Sequence, residues 1–141
     1  MDKKTRTLAA VQGLPVDRPP YAFWHHYEGD AAVGRACVAG HEKFYRESGE
    51  DFIKMMCDGY MYMPLGIDIQ RASDWRHITL PKMSDPYVQE QLDRIKWMRE
   101  AIDDETCIYY NVFAAFSNMR FTTSDALVMA RLLAGAGAEV C

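Results

Sequence analysis

No apolar run in this chain of 141 residues approaches the length needed to cross a bilayer. The opening MDKKTRTLAAVQG carries charge and has no apolar centre of the kind a secretory leader needs, so the sequence reads as cytoplasmic. Cysteine is sparse: Cys37, Cys57, Cys107 and Cys141 lie far apart and form no CxxC pair. That spacing argues against a disulfide framework and against a metal site built from these thiols. No GxGxxG or GxxxxGK[ST] follows an apolar run, which leaves a nucleotide site without its phosphate loop, and no GxSxG elbow is present to support a hydrolase. The net charge of -4, with both signs mixed along the chain, offers no basic stripe to a phosphate backbone and argues against nucleic acid as a partner.

What is present is an apolar fraction of 49%, enough for the core of one ordinary domain. Residues 3–12 read as a helix stopped by Gly13, and LPVDRPP as a stiff connector, because Pro19 and Pro20 hold extended backbone. YAFWHHY, residues 21–27, reads as a strand with Tyr21, Phe23, His25 and Tyr27 on one face and Ala22, Trp24 and His26 on the other. A loose Ala/Gly-containing segment then leads into a helix over HEKFYRESG, with Phe44 and Tyr45 on its buried side and His41 in solvent. A second strand is expected over Phe52–Cys57, an irregular excursion over 68–86, and a helix after Pro86 on which Val88, Leu92, Ile95 and Met98 recur at helical spacing. A third strand is expected over Cys107–Phe113, then a polar opening, a helix after Ser124-Asp125 and a fourth strand at 138–141. Strands alternating with helices through long crossovers predict an α/β layered fold with parallel strands.

Within this order the chemistry centres on DFIKMMCDGYMYMPLG, residues 51–66. An apolar run that ends in Asp58-Gly59 is a common way to place a carboxylate at the rim of a sheet, though Asp-Gly also serves simply as a turn. His25 and His26 point to opposite faces of the preceding strand, so one can line a site while the other packs. The Met/Tyr-rich stretch offers an adaptable apolar surface for a flat ligand, or plain packing. The candidate catalytic residues are therefore Asp58, His25 and His26, with Trp24, Tyr60, Met61 and Phe113 as candidate substrate contacts.

Several segments together resemble the N-terminal part of the uroporphyrinogen decarboxylase superfamily: TRTLAAVQGLPVDRPP, YAFWHHY, HEKFYRESGEDFIKMMCDGYMYMP, the isolated Asp74-Trp75, QLDRIKWMREAI and CIYYNVFAAFS, in order over about residues 4–118. The resemblance implies a (β/α)8 TIM barrel with its site at the C-terminal ends of the strands; since a whole barrel takes about 250 residues, this chain would supply three to four β/α units as one incomplete domain over 1–141. It places Asp58 where the decarboxylases carry the aspartate that holds pyrrole nitrogens. His25 and His26 fall where true decarboxylases carry an arginine, and an arginine would grip a substrate carboxylate bidentately. The likeness is thus closer to the methyltransferase-like or uncharacterised relatives. The expected activity is that of a tetrapyrrole decarboxylase (a lyase) or a corrinoid- or thiol-directed methyltransferase acting on a small molecule, a tetrapyrrole or methyl donor. No cofactor is required in this chain, although corrinoid or zinc belongs to full-length relatives. An incomplete barrel leaves sheet edges open, so a homo-oligomer is expected. The alternative is a non-catalytic fragment or a self-associating interaction domain.

Overall fold

The computed structural model describes residues 1–126, Val128 and Met129, and places them in two units, Met1–Gly59 with Glu90–Val112, and Tyr60–Gln89 with Phe113 onward. In the first unit, α1 (Lys3–Val11) starts where Asp2 accepts the Thr5 N–H at 2.8 Å and its hydroxyl at 2.9 Å. This side chain satisfies a donor that the first helical turn leaves open. Gly13 beyond the helix has φ +70°, as the sequence predicts for a stop. α2 (Gly34–Ser48) ends on Gly49 at φ +71°, again as expected, but it begins well before His41. A one-turn 3-10 segment, Gly29–Ala32, precedes it. The Ala/Gly composition that reads as a loose loop is helical because it packs: Cys37 and Val38 are buried.

β1 (Ile53–Met55) and β2 (Ile108–Tyr110) pair in parallel, with Ile53 opposite Ile108 and Met55 opposite Tyr110. The expected parallel pairing therefore holds over three residues in each strand. α3 (Pro86–Ala101) is the crossover helix expected after Pro86. Alternation along β1 turns Ile53 and Met55 toward a core of Val38 and Tyr45 from α2 and Met98 from α3, closed by Ile102. The fold is mixed α/β with a two-stranded parallel sheet among the described residues.

The strand expected over 21–27 does not form. The segment is extended, but among the described residues only the Asp51 N–H to Tyr21 carbonyl bond, at 2.8 Å, is a main-chain link of the kind that builds a sheet. Three of its own N–H groups go to carboxylates: Tyr21 N–H to Asp51 at 3.0 Å, Phe23 N–H to Glu50 at 2.8 Å, and Tyr27 N–H to Asp58 at 2.9 Å. Side-chain oxygens thus take the place of a neighbouring strand's carbonyls, and the pairing that defines a strand is absent. The period of two survives. Tyr21 and Phe23 rings lie 5.5 Å apart, and His25 and Tyr27 rings 4.6 Å apart, on the face the sequence assigns them.

The VDRPP connector is fixed by charge. Asp17 accepts from Arg6 Nε at 2.7 Å, and Arg18 donates to both oxygens of the fully buried Asp51 at 2.6 and 2.9 Å. Arg6 Nη1 adds a further bond to Asp51 at 2.7 Å. The hydrogen bond from Arg6 holds the Asp17 carboxyl far below the usual carboxylate range. Burial pushes the Asp51 carboxyl up, but hydrogen bonds from Arg18, Tyr21 and Arg6 outweigh it and hold the group below its ordinary value.

In the second unit, the excursion expected over 68–86 contains the 3-10 segment Ala72–His77, where Asp74 accepts the N–H groups of Gln70 at 2.9 Å and Arg71 at 2.6 Å. Leu65 and Ile69 are buried, and Thr79 N–H donates to the Leu65 carbonyl at 2.9 Å. α4 (Ala115–Thr122) occupies the residues that read as a polar opening. A cavity of about 270 Å³ lies among Met63, Leu65, Trp75, Leu80 and Met119. The rest of the helix expected after Ser124, and the strand expected at 138–141, lie outside the described residues. No helix among the described residues is long and apolar enough to cross a membrane.

Candidate active site

β1 is followed by the buried pair Met56-Cys57, and the chain then turns at Asp58-Gly59. Gly59 has φ +81°, and a Cβ built there would meet Val33 Cγ1 at 2.4 Å and the Ala32 carbonyl oxygen at 3.3 Å. Glycine is needed at this point both for its left-handed backbone and for the close approach of the segment before α2. The turn fixes Asp58, whose side chain is 5% exposed, at the C-terminal end of β1, the rim position that the sequence predicts.

Both Asp58 oxygens are engaged. Oδ1 lies 2.7 Å from His26 Nδ1, and Oδ2 accepts the Tyr27 N–H at 2.9 Å. With a carboxylate as partner, Nδ1 carries the proton and Nε2 is left as the outward nitrogen. His26 is 51% exposed, and its Nε2 makes no hydrogen bond to the described residues. The arrangement is an imidazole held in one tautomer and one orientation by a buried carboxylate, with its second nitrogen available to a ligand. His25 is placed differently: its ring stacks on Phe44 at 4.7 Å and meets Tyr27 edge-on. It belongs to an aromatic cluster rather than to the Asp58 pair.

Trp24 is 66% exposed and lies under Lys54 Nζ, 3.8 Å from the ring centroid. Tyr60, Met61 and Phe113 belong to the second unit. There Tyr60 is buried, its carbonyl accepting from the Tyr87 hydroxyl at 2.8 Å, and the Phe113 ring packs edge-on to Phe121 at 4.8 Å. Of the sequence candidates, the structure joins Asp58 and His26 directly.

Behind the pair stands a buried polar layer that sequence reasoning misses. Arg94 on α3 is fully buried and donates to the carbonyls of Asp58 at 2.9 Å and Met56 at 2.7 Å, and to Cys37 Sγ at 2.8 Å. The signal for it is spacing: Arg94 precedes Met98 by four residues and so shares its inward face. His41, which the sequence places in solvent, is 3% exposed. It lies one helical turn after Cys37, whose carbonyl accepts from its Nδ1 at 2.9 Å, while its Nε2 accepts the Met56 N–H at 3.1 Å. The main-chain donor at Met56 fixes the neutral Nδ1–H tautomer. Burial lowers the His41 pKa, raises that of the Cys37 thiol, and pushes the Tyr27 hydroxyl up to about 12.

The His41 shift predicts a pH dependence. A histidine whose folded pKa lies below its unfolded value of about 6.5 contributes stability that is complete above that pH and is lost as pH falls toward the folded pKa. The urea midpoint of the wild type is expected to drop between about pH 7.5 and about pH 5.5 more steeply than that of His41→Gln. Comparing the two chains cancels the opposing contribution of Glu50, whose carboxyl burial raises. Parallel slopes would refute the assignment.

Among the described residues, no three His, Cys, Asp or Glu side chains come together in a way that could hold a metal ion. No protein-family model, curated protein or solved structure matches this chain.

Proposed function

We propose that this chain is the N-terminal part of a barrel-type enzyme resembling the uroporphyrinogen decarboxylase superfamily, and that His26 and Asp58 form its proton-handling pair. The observation that carries the proposal is the 2.7 Å contact between His26 Nδ1 and the buried Asp58 Oδ1 at the end of a parallel strand. Strand ends of this polarity are where (β/α)8 barrels build their sites. The substrate proposed is a small molecule, a tetrapyrrole or the acceptor of a methyl group.

In this reading Asp58 is a positioning residue. Its two oxygens already bind His26 and Tyr27 N–H, so direct capture of several pyrrole N–H groups, the role the resemblance implies, would require breaking those bonds. His26 Nε2 is the atom that meets the substrate, donating a proton to a pyrrole carbon in a decarboxylation or withdrawing one from the acceptor in a methyl transfer. The Asp58 carboxylate stabilises the imidazolium in either case. Zinc and corrinoid belong to full-length relatives; the described residues do not form a zinc site, and neither group takes part in the steps assigned to His26 and Asp58.

A second reading is favoured by the sheet itself. Among the described residues β2 pairs only with β1, and an unpaired parallel edge invites association with another copy. The self-associating, non-catalytic alternative therefore stands beside the enzyme. His26→Asn separates them: its amide can still donate to Asp58 where Nδ1 does, so the enzyme reading expects turnover or affinity for a porphyrinogen or methyl donor to fall at least tenfold, with stability changed by no more than about 1–2 kcal/mol. Unchanged turnover, or wild-type chain that elutes as an oligomer on gel filtration and retains no such ligand, overturns it.

A further inference from the structure

Outside the His26–Asp58 pair, the cation of the first unit that lies nearest an aromatic ring is Lys54, 3.8 Å from the Trp24 ring centroid, against 4.7 Å for Lys3 over Tyr45 and 4.5 Å for Arg35 over Trp97. Lys54 is the middle residue of β1, and strand alternation turns it away from the core that receives Ile53 and Met55. It shares its face with Phe52 and with Tyr109, its register partner on β2. Phe52 and Tyr109 rings meet edge-on at 4.8 Å, and Trp24 lies against the ammonium at 3.8 Å from its ring centroid. Trp24 and Tyr109 are respectively 66% and 38% exposed, so this face of the sheet presents open aromatic surface around a single positive charge.

A lysine among aromatic rings is partly stripped of water, and this desolvation lowers its pKa below the ordinary lysine value. A cation–π contact attracts the ammonium without supplying a hydrogen-bond acceptor, so the three donors of Nζ stay available. An anion that brought its own apolar body would complete both halves of the surface at once. One ammonium matches one carboxylate; a phosphate would call for several converging donors, which this face does not offer. The ring surface calls for a planar ligand, since stacking on Trp24 and contact with Tyr109 reward flat aromatic area.

We propose that Lys54, Trp24 and Tyr109 form a binding site for a planar aromatic carboxylate, the acid meeting Lys54 Nζ and the ring lying against Trp24 and Tyr109. The site includes neither His26 nor Asp58, and binding to it does not depend on the reaction proposed for them. The role of Lys54 is to select for charge, and that of Trp24 is to supply area.

The test uses pyrene-1-carboxylate and its uncharged counterpart pyrene-1-methanol as probes, with binding to the full chain followed by probe fluorescence anisotropy. Wild type is expected to bind the acid at least tenfold more tightly than the alcohol. Lys54→Met is expected to bring that ratio to within twofold, Lys54→Arg to retain it, and Trp24→Ala to weaken both probes. Lys54→Gln serves as a second neutral variant should Lys54→Met fold poorly by circular dichroism. Lys43→Met, which removes an exposed lysine of α2 that belongs to neither site, is the control: it should leave the ratio unchanged. Failure of wild type to bind the acid, or a preference of threefold or more surviving in either neutral variant, overturns the site.

Discussion

Replacing Arg94 by methionine is expected to lower folding stability by about 4 kcal/mol. The substitution keeps most of the side-chain volume but removes the guanidinium, which leaves the carbonyls of Asp58 and Met56 without their Arg94 donors in a place where that side chain is fully buried. Each buried group that loses its partner costs about 1–3 kcal/mol, and two are affected. The neutral end of methionine also offsets part of the loss by removing a desolvated charge, which keeps the total below the sum of the upper limits. Urea unfolding at neutral pH measures it. A loss below about 1 kcal/mol would mean that the carbonyls find other donors and that Arg94 does not hold the turn. The same variant bears on function: Arg94 anchors the main chain of Asp58, so His26 should lose its fixed partner. The His26 and Asp58 side-chain signals should then broaden or shift in nuclear magnetic resonance spectra before the chain unfolds. The conservative change Arg94→Lys is expected to retain only part of the stability, because one ammonium cannot reproduce the forked geometry that reaches both carbonyls and Cys37.

The legible parts of this chain are those written in local pattern. Gly13 and Gly49 at helix ends and Pro86 at the opening of α3 each act within a few residues, and each acts as the sequence predicts. Asp58 at the end of β1 is legible for the same reason, since an apolar run stopped by Asp-Gly has few other geometries. The polar interior is not. His41 on α2 and Arg94 on α3 become buried only because Cys37, Met56 and Asp58 present main-chain and sulfur partners to them. Helical periodicity places Arg94 on the Met98 face but carries no information about what waits there.

The segment 21–27 shows a subtler gap. Its alternation is real, and the ring pairs Tyr21–Phe23 and His25–Tyr27 follow it. Alternation reports extended backbone, however, and extended backbone becomes a strand only when another main chain pairs with it. Here Glu50, Asp51 and Asp58 provide the acceptors, an outcome that the aromatic sequence YAFWHHY does not itself encode. α4 escapes a sequence reading for the converse reason: Ala115–Thr122 includes aromatic and polar residues of modest helix propensity, and its helix follows an extended Ala114 that no turn residue announces.

That carboxylate strap leads to the second large effect. Asp51→Ala is expected to destabilise the chain by about 2–4 kcal/mol, from the loss of the acceptor for the Tyr21 N–H together with the charge-assisted bonds from Arg6 and Arg18. Asp51 is fully buried, and three groups converge on it: Arg6, Arg18 and the Tyr21 N–H. Arg6 retains Asp17 after the substitution, whereas Arg18 loses both of its contacts to Asp51 and Tyr21 loses its acceptor. The damage should therefore be directional. Hydrogen exchange is expected to accelerate at the Tyr21 amide in Asp51→Ala, while the Tyr27 amide, held by Asp58 at the far end of the segment, changes less. Glu50→Gln, which leaves an oxygen facing the Phe23 N–H, should cost much less, since burial already opposes the Glu50 charge. A small loss in Asp51→Ala, or equal acceleration at Tyr21 and Tyr27, would show that the aromatic cluster rather than the carboxylates holds this segment. In that case the orientation of His26 would rest on Asp58 alone. If the directional pattern is found, the charges of VDRPP and Asp51 act on the site at a distance: they fix the start of the segment whose end presents His26 to Asp58.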